Sequence, residues 1–463
     1  MMSKRLFTPL EKATDEVGDD YLMKADDSLK PRSTHTDRKC SSLTGFSWFF
    51  ILGVVFYSCN PVFAKTTEEE LAELKSRLTA LEQKLTQQEK KSADRQELAE
   101  SLEKIKDVFD GLSIEGGATF LVQGTNNANG NSLSKNSEDV TDASYSIDLE
   151  FEKQIDDYGT VFIHLETGDG ASVEDELQVF SSVNRDADDS DNSVSVTEVW
   201  YEYYFKTIPL TLTFGKIDPT GYVDTNEYAN DECGQFLGYV FRNSPVVEFP
   251  DDNAAGVRLA IEPVDFLGIE FAAMDANADW EDAFDNMFLA GQLNFKPKLL
   301  ERSGNYRVYG WLNDKDHIKW DDALKIKEKS YGFGLSFDQE ITDVLGAFVR
   351  YGWQNPKSYA DGSEFSLEQS WSAGIQLTGI LWRRDEDIFA IAFGQVMPSG
   401  DYKKANDRKA GSEEHLETYY KFKVNNRLSV SPDLQVIWDP YGGDAVNGNK
   451  IIFVGGIRGQ VNF

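Results

Sequence analysis

The 463-residue chain is poor in cysteine: two of its three, Cys40 and Cys59, fall within the first 64 residues, and only Cys233 lies beyond. With a leader removed, no intramolecular disulfide can form, so about 400 residues must be held by burial and by closed backbone hydrogen bonding. Beyond that leader there is also no run of eighteen apolar residues, and mean hydropathy is -0.45, which excludes helical membrane spans from the body of the protein. Histidine is scarce as well. His35, His164, His317 and His415 are far apart, so metal sites and Ser/His sites lack their usual clustering, and no zinc spacing, phosphate-cradling glycine motif or nucleotide fingerprint occurs. Gly332-Phe333-Gly334 is better explained as strand packing. No catalytic residue, metal or cofactor is therefore expected. His164 and Glu166 share one strand face, which leaves a barrel lipase or a secreted glycoside hydrolase open, but carboxylates are too plentiful for any pair to stand out. Positive charge is also short: 46 Lys and Arg face 79 Asp and Glu, for a net charge of -33. The first 64 residues are balanced, so the whole excess lies beyond them. Such a surface argues against nucleic acid and fits long solvated loops.

What is present is a strand period. In residues 451–463, Ile451, Phe453, Gly455, Ile457, Gly459, Val461 and Phe463 share one face, while Ile452, Val454, Gly456, Arg458, Gln460 and Asn462 share the other. A strand that meets lipid outside and water inside needs this dyad over about 9–11 residues. Aromatics reach 13%, with 30 Phe and 19 Tyr, as two interfacial girdles require. Near the front, Arg38 and Lys39 precede an apolar run over 46–56, then Val62-Phe63-Ala64 and Lys65, the order of a secretory signal peptide. Residues 1–38 are long and polar for a leader, so either the true start lies downstream or the leader is an extended one. Phe56-Tyr57-Ser58 before Cys59 are too bulky for a lipidation box.

After the expected cleavage, Leu71, Leu74, Leu78, Leu81 and Leu85 are spaced as a coiled-coil seam, and the spacing returns at Leu98, Leu102, Ile105, Phe109 and Leu112. The register slips between the two sets, predicting a skip or break near 90–94 in a helix over 66–109 that self-associates in the periplasm. From about Gly111, short alternating runs separated by polar turns continue to the end. They lie at 144–154, 158–166, 198–205, 209–216, 256–261, 268–274, 286–295, 306–312, 331–337, 345–353, 371–381, 388–396, 417–424 and 427–438. With the first and last strands they make about sixteen. The fold class is thus an all-β transmembrane antiparallel barrel preceded by an α-helical coiled coil: leader 1–64, coiled coil 65–110, barrel 111–463. Trp311, Trp353, Trp371, Trp382 and Trp438 sit near the ends of runs, where girdle residues belong, and the acidic loop 184–192 is read as extracellular and solvated.

The segment 198–245 carries the most distinctive pattern: Tyr201, Glu202 and Tyr203 on a strand, Phe214-Gly215-Lys216-Ile217-Asp218 at a strand end, then Asn226-Glu227-Tyr228-Ala229-Asn230-Asp231 and Gln235-Phe236-Leu237. Together with Glu417, Tyr419, Tyr420, the run 428–435, Asp439-Pro440, Gly456-Ile457-Arg458 and the final Phe463, it resembles the carbohydrate-selective porins of the OprB family. The resemblance covers roughly 111–463, and the helical front departs from the simplest members. It implies an outer-membrane pore passing sugars, with outer-membrane lipid around it and, through the coiled coil, a possible homotrimer. A sugar pore needs aromatic faces for stacking beside groups that exchange hydrogen bonds with hydroxyls. Glu202, Lys216, Asp218, Asp224, Asn226, Glu227, Asn230, Asp231 and Arg242 are the lining candidates in that segment, and Arg350 and Arg458 face inward by strand alternation; Asp218-Pro219-Thr220-Gly221 is also simply a good turn. The function expected is passive diffusion of carbohydrates or similar small solutes. Alternatives are a structural tether from the outer membrane to periplasmic partners or the cell wall, and a cation-preferring general porin.

Overall fold

A computed structural model describes residues 67–130, 138–186, 192–250, 253–282, 285–321 and 327–463. The expected leader, with His35, Cys40 and Cys59, lies outside the described residues, as does most of the acidic loop 184–192. The chain divides into two compact units, one ending at Asp107 and the other running from Val108 to Phe463.

The first contains one helix, α1 (Thr67–Phe109). It runs unbroken through 90–94, where a skip or break was expected; a break is ruled out, while a skip in the seam's register fits a continuous helix. The reason is local: α1 contains neither glycine nor proline, and its Glu, Lys, Gln, Ala and Leu residues all favour the helix. Gly111, at φ 68°, follows the helix and adopts the left-handed conformation common at such ends. Leu71, Leu74, Leu78, Leu81 and Leu85 all stand more than half exposed.

The second unit is a closed antiparallel barrel of 16 strands. In chain order these are β1 (Leu112–Asn126), β2 (Thr141–Ile155), β3 (Gly159–Asp169), β4 (Ser195–Phe205), β5 (Leu210–Ile217), β6 (Ala254–Val264), β7 (Leu267–Asp275) and β8 (Met287–Phe295). They continue with β9 (Arg302–Lys319), β10 (Lys327–Thr342), β11 (Leu345–Gln354), β12 (Leu367–Thr378), β13 (Ile388–Pro398), β14 (Glu413–Lys423), β15 (Leu428–Trp438) and β16 (Ile452–Asn462). Two short ladders, Lys298–Leu299 and Ser358–Ala360, flank β9. Each strand pairs with its neighbour in sequence, and β16 returns to β1 with Gly117 opposite Asn462 and Asn126 opposite Phe453. Gly116 and Phe463 then exchange backbone hydrogen bonds of 3.0 and 2.9 Å. Closure leaves no sheet edge, which a bilayer demands because it offers no water to an unpaired amide.

Alternation sorts side chains in the sense opposite to a soluble protein. Phe120, Val122, Phe214, Phe271, Val349 and Ile457 stand on the outside and are at least two-fifths exposed, whereas Glu202, Arg350, Glu417 and Arg458 point inward and are buried. The barrel's outer face is therefore one apolar band, far beyond the patch size a monomer shows to water. Trp353, Trp371 and Trp438 lie on it, with Trp353 against Phe333 and both Trp371 and Trp438 against Phe393. Trp382 caps it differently, donating to Tyr420 Oη at 2.9 Å from a turn. Trp311 is a correction: it faces inward, 4% exposed, in a cluster with Phe288, Tyr309 and Val223. The run 371–381 also ends early, since Gly379–Trp382 leaves the ladder as a 3-10 turn.

Connections alternate in length. Those at 156–158, 206–209, 265–266, 343–344 and 424–427 are tight, while those at 127–140, 170–194, 218–253, 399–412 and 439–451 are long. In outer-membrane barrels the tight end is periplasmic and the long loops are extracellular.

Candidate functional site in the barrel interior

Two of the long loops, 170–186 and 218–250, fold inward against the wall, and the wall is built to receive them. Arg350, at the centre of β11, is 1% exposed and donates to Asp224 Oδ1 at 3.0 Å, and to the carbonyl oxygens of Phe241 at 2.6 Å and of Asp224 and Ala229 at 3.0 Å each. Arg458 on β16 donates to the carbonyls of Glu232 at 2.6 Å and Gln235 at 2.7 Å. On β14, Glu417 accepts from the backbone amides of Leu237 at 2.6 Å and Gly238 at 2.8 Å. Glu413 accepts from Phe180 at 2.9 Å, Ser181 at 3.0 Å and Tyr441 at 2.6 Å, while His415 Nε2 lies 2.8 Å away. Buried loop backbone must find partners, and charged wall groups supply short hydrogen bonds for it.

Small wall residues make the room. A Cβ at Gly346 would collide with the Tyr228 ring, and one at Gly352 with Ser244 Oγ, so a larger residue at either position would require the loop side chain to shift. An apolar cluster of Phe236, Val240, Phe241, Phe348 and Tyr419 completes the seat.

The expected lining residues therefore separate into groups. Asp224, Arg242, Arg350 and Arg458 are buried tethers. Arg242 Nε donates to Glu232 at 2.7 Å; burial alone would raise the Glu232 carboxyl, but the adjoining guanidinium holds it below the ordinary carboxylate range. Asp224 sits at φ 62° with Oδ2 accepting from Ser244 N at 2.7 Å. Glu202 is buried on the β4 wall, accepting from Thr213 Oγ1 and Tyr204 Oη at 2.7 Å and from Arg258 at 3.2 Å. Asp218 caps the turn Pro219–Gly221 by accepting from Thr220 N at 2.9 Å. Asn226 donates to Ser336 Oγ at 3.2 Å and braces the same loop. Glu227 is exposed, and Asn230 and Asp231 are half-buried, so these three offer surface to the interior. Lys216 is a correction. It pairs with Val199 on the outward face and donates to Val196 O at 2.8 Å, its long stem lying along the apolar band while its ammonium finds a carbonyl.

Sequence reasoning missed Arg185 and Tyr239. The two infolded loops meet there: Arg185 N donates to Leu237 O at 2.9 Å and Tyr239 N to Ser182 O at 3.0 Å. The exposed Arg185 guanidinium lies over the half-buried Tyr239 ring, 4.9 Å from its centroid. No sequence signal joins residues from two separate loops. Close by, Asp186 is 1% exposed, and burial pushes its carboxyl well above the ordinary range.

An apolar exterior, complete closure and long loops folded into a charged interior define an outer-membrane porin. The family described as carbohydrate-selective porin, OprB family, matches residues 136–463, and the chain belongs to it. Among solved structures it is similar to OprB of Pseudomonas putida at high pH, with a TM-score of 0.65 and 16% identity over 77% of this chain and 96% of that one. It is also similar to the outer membrane channel DcaP of Acinetobacter baumannii, with a TM-score of 0.50 and 11% identity over 76% and 97% of the two chains. An uncharacterized protein of Aquifex aeolicus (strain VF5) is 26% identical over 229 residues; the match spans 49% of this chain and 58% of that protein.

Proposed function

We propose that the protein is a passive channel for carbohydrates and similar small hydroxylated solutes, without catalytic activity, and that the two infolded loops form its selective constriction. The observation that carries this reading is the Arg185 and Tyr239 pair, with Glu227, Asn230 and Asp231 accessible on the same loop as Tyr239. An aromatic face takes the apolar face of a sugar ring, while guanidinium, amide and carboxylate groups exchange hydrogen bonds with its hydroxyls. The main charged groups behind them are already engaged by the loop backbone, so the narrowing is fixed. Liposome swelling with sugars of graded size is expected to exceed swelling with charged solutes of equal size. Tyr239→Ala should weaken sugar block of single-channel current by roughly two- to twelvefold, the worth of about 0.5–1.5 kcal/mol per ring contact. Equal swelling for both solute classes would count against a sugar channel.

The helix belongs to the same proposal. β1 begins at the tight-turn end of the barrel, which supports a periplasmic α1. Its exposed leucine seam supports self-association, with a homotrimer as the assembly. Deleting 66–109 is expected to leave swelling rates unchanged and to lower the oligomer size on a detergent gel; lost swelling at unchanged size contradicts the assignment.

A further inference from the structure

We propose that Asp148, His164 and Glu166 form a binding site for one divalent transition-metal ion of the zinc type in the barrel wall. Among the described residues, these three bring one imidazole nitrogen and two carboxylates together, with their donor atoms within 4.8 Å of one another. The register explains the convergence. Asp148 on β2 lies directly opposite Glu166 on β3, and His164, two residues before Glu166, faces the same side. His164 Nε2 is already 3.0 Å from Asp148 Oδ1. A tetrahedral ion bonded at about 2.0–2.2 Å holds its ligand atoms roughly 3.3 Å apart, so side-chain rotation closes the site without moving the strands.

Two observations point to a cation. The inward positions of β2 and β3 bear Asp148, Glu150, Glu152 and Glu166 and no lysine or arginine, whereas on β6 and β11 the inward Arg258 and Arg350 pair with Glu202 and Glu270 and with Asp224. Like charges placed directly opposite across a ladder destabilise it, and a divalent ion reverses the sign of that contribution. Independently, Asp186 is delivered to this region by the infolded loop. Its Oδ1 accepts from Ser146 Oγ at 3.2 Å, two positions from Asp148 on the same inner face, while its Oδ2 is buried without a hydrogen-bond donor. A buried carboxylate oxygen lacking a donor is costly beside other carboxylates and is relieved by a nearby ion.

The imidazole decides the class. Hard calcium and magnesium ions take oxygen ligands, while a neutral nitrogen beside carboxylates suits zinc and its neighbours. With Asp148 16% exposed, a fourth position remains open to water from the lumen.

The test uses the full chain in detergent, stripped with EDTA and desalted, and titrated calorimetrically with zinc chloride. Wild type is expected to retain about one zinc per chain after dialysis. Glu166→Gln should weaken binding at least tenfold, and Asp148→Asn with His164→Gln should bring it to background. Asp157→Asn, in a distant exposed turn, should leave it unchanged. A retained heat-modifiable gel shift reports that each barrel is folded; if the double variant loses the shift, the isosteric Glu166→Gln alone decides. No retained zinc, equal retention by Glu166→Gln, or displacement by an equal concentration of magnesium overturns the proposal.

Discussion

Replacing Arg350 with leucine is expected to enlarge the channel and cost the barrel about 3–5 kcal/mol, the range for removing one partner of a buried ion pair. Asp224 would remain fully buried with its carboxylate facing no cation, and the carbonyls of Phe241 and Ala229 would each lose a donor. The least expensive relaxation withdraws 218–250 from the wall so that water reaches these groups. Single-channel conductance in planar bilayers should then rise, and discrimination between sugars and charged solutes should fall. Adding Asp224→Leu to the same chain should recover part of the stability, because no charge is then stranded. Unchanged conductance and unfolding in Arg350→Leu would show that Glu417, Arg458 and apolar packing hold the loop without Arg350.

Glu413→Ala should have a comparable effect on the other loop. It removes the acceptor for the backbone amides of Phe180, Ser181 and Tyr441, which are buried in the seat. Each stranded amide costs roughly 1–3 kcal/mol unless water replaces the carboxylate. Loop 170–186 should therefore detach, and trypsin should cut after the exposed Arg185 of the folded barrel at least tenfold faster than in wild type. Glu413→Gln, which keeps one carbonyl acceptor, should fall between the two. A cleavage rate unchanged in Glu413→Ala would mean that Phe180, stacked on Tyr441 at 4.4 Å, is sufficient anchorage.

Much of the barrel was legible in the sequence because a strand between lipid and water leaves a period of two that a helix does not imitate. Residues 451–463 show it: Ile451, Phe453, Gly455 and Ile457 of the outward set are exposed in the fold, and Ile452, Val454 and Arg458 of the inward set are buried. The sixteen strands followed from counting such runs. Periodicity fails where both faces accept the same residue. Trp311 is apolar on an inner wall because an infolded loop, not water, covers it, and Lys216 is charged on the outer face because its ammonium reaches Val196 O. The skip or break expected at 90–94 came from seam spacing, but backbone continuity is set by propensity, so the seam can skip register while the helix runs on. In the interior, the sequence offered Arg350 and Asp224 as lining residues, and the fold pairs them with each other. Arg350 and Asp224 are 126 residues apart, and no local pattern says that they neutralise each other instead of facing a solute.

The seam between Gly116 and Phe463 also constrains how the molecule can be made. The strand emerging first from the ribosome has its final partner in the strand emerging last, so every partial product carries two raw flanks able to zip onto a sibling chain. Such a chain is expected to need escort until its tail arrives, and to gain its strength in one late step.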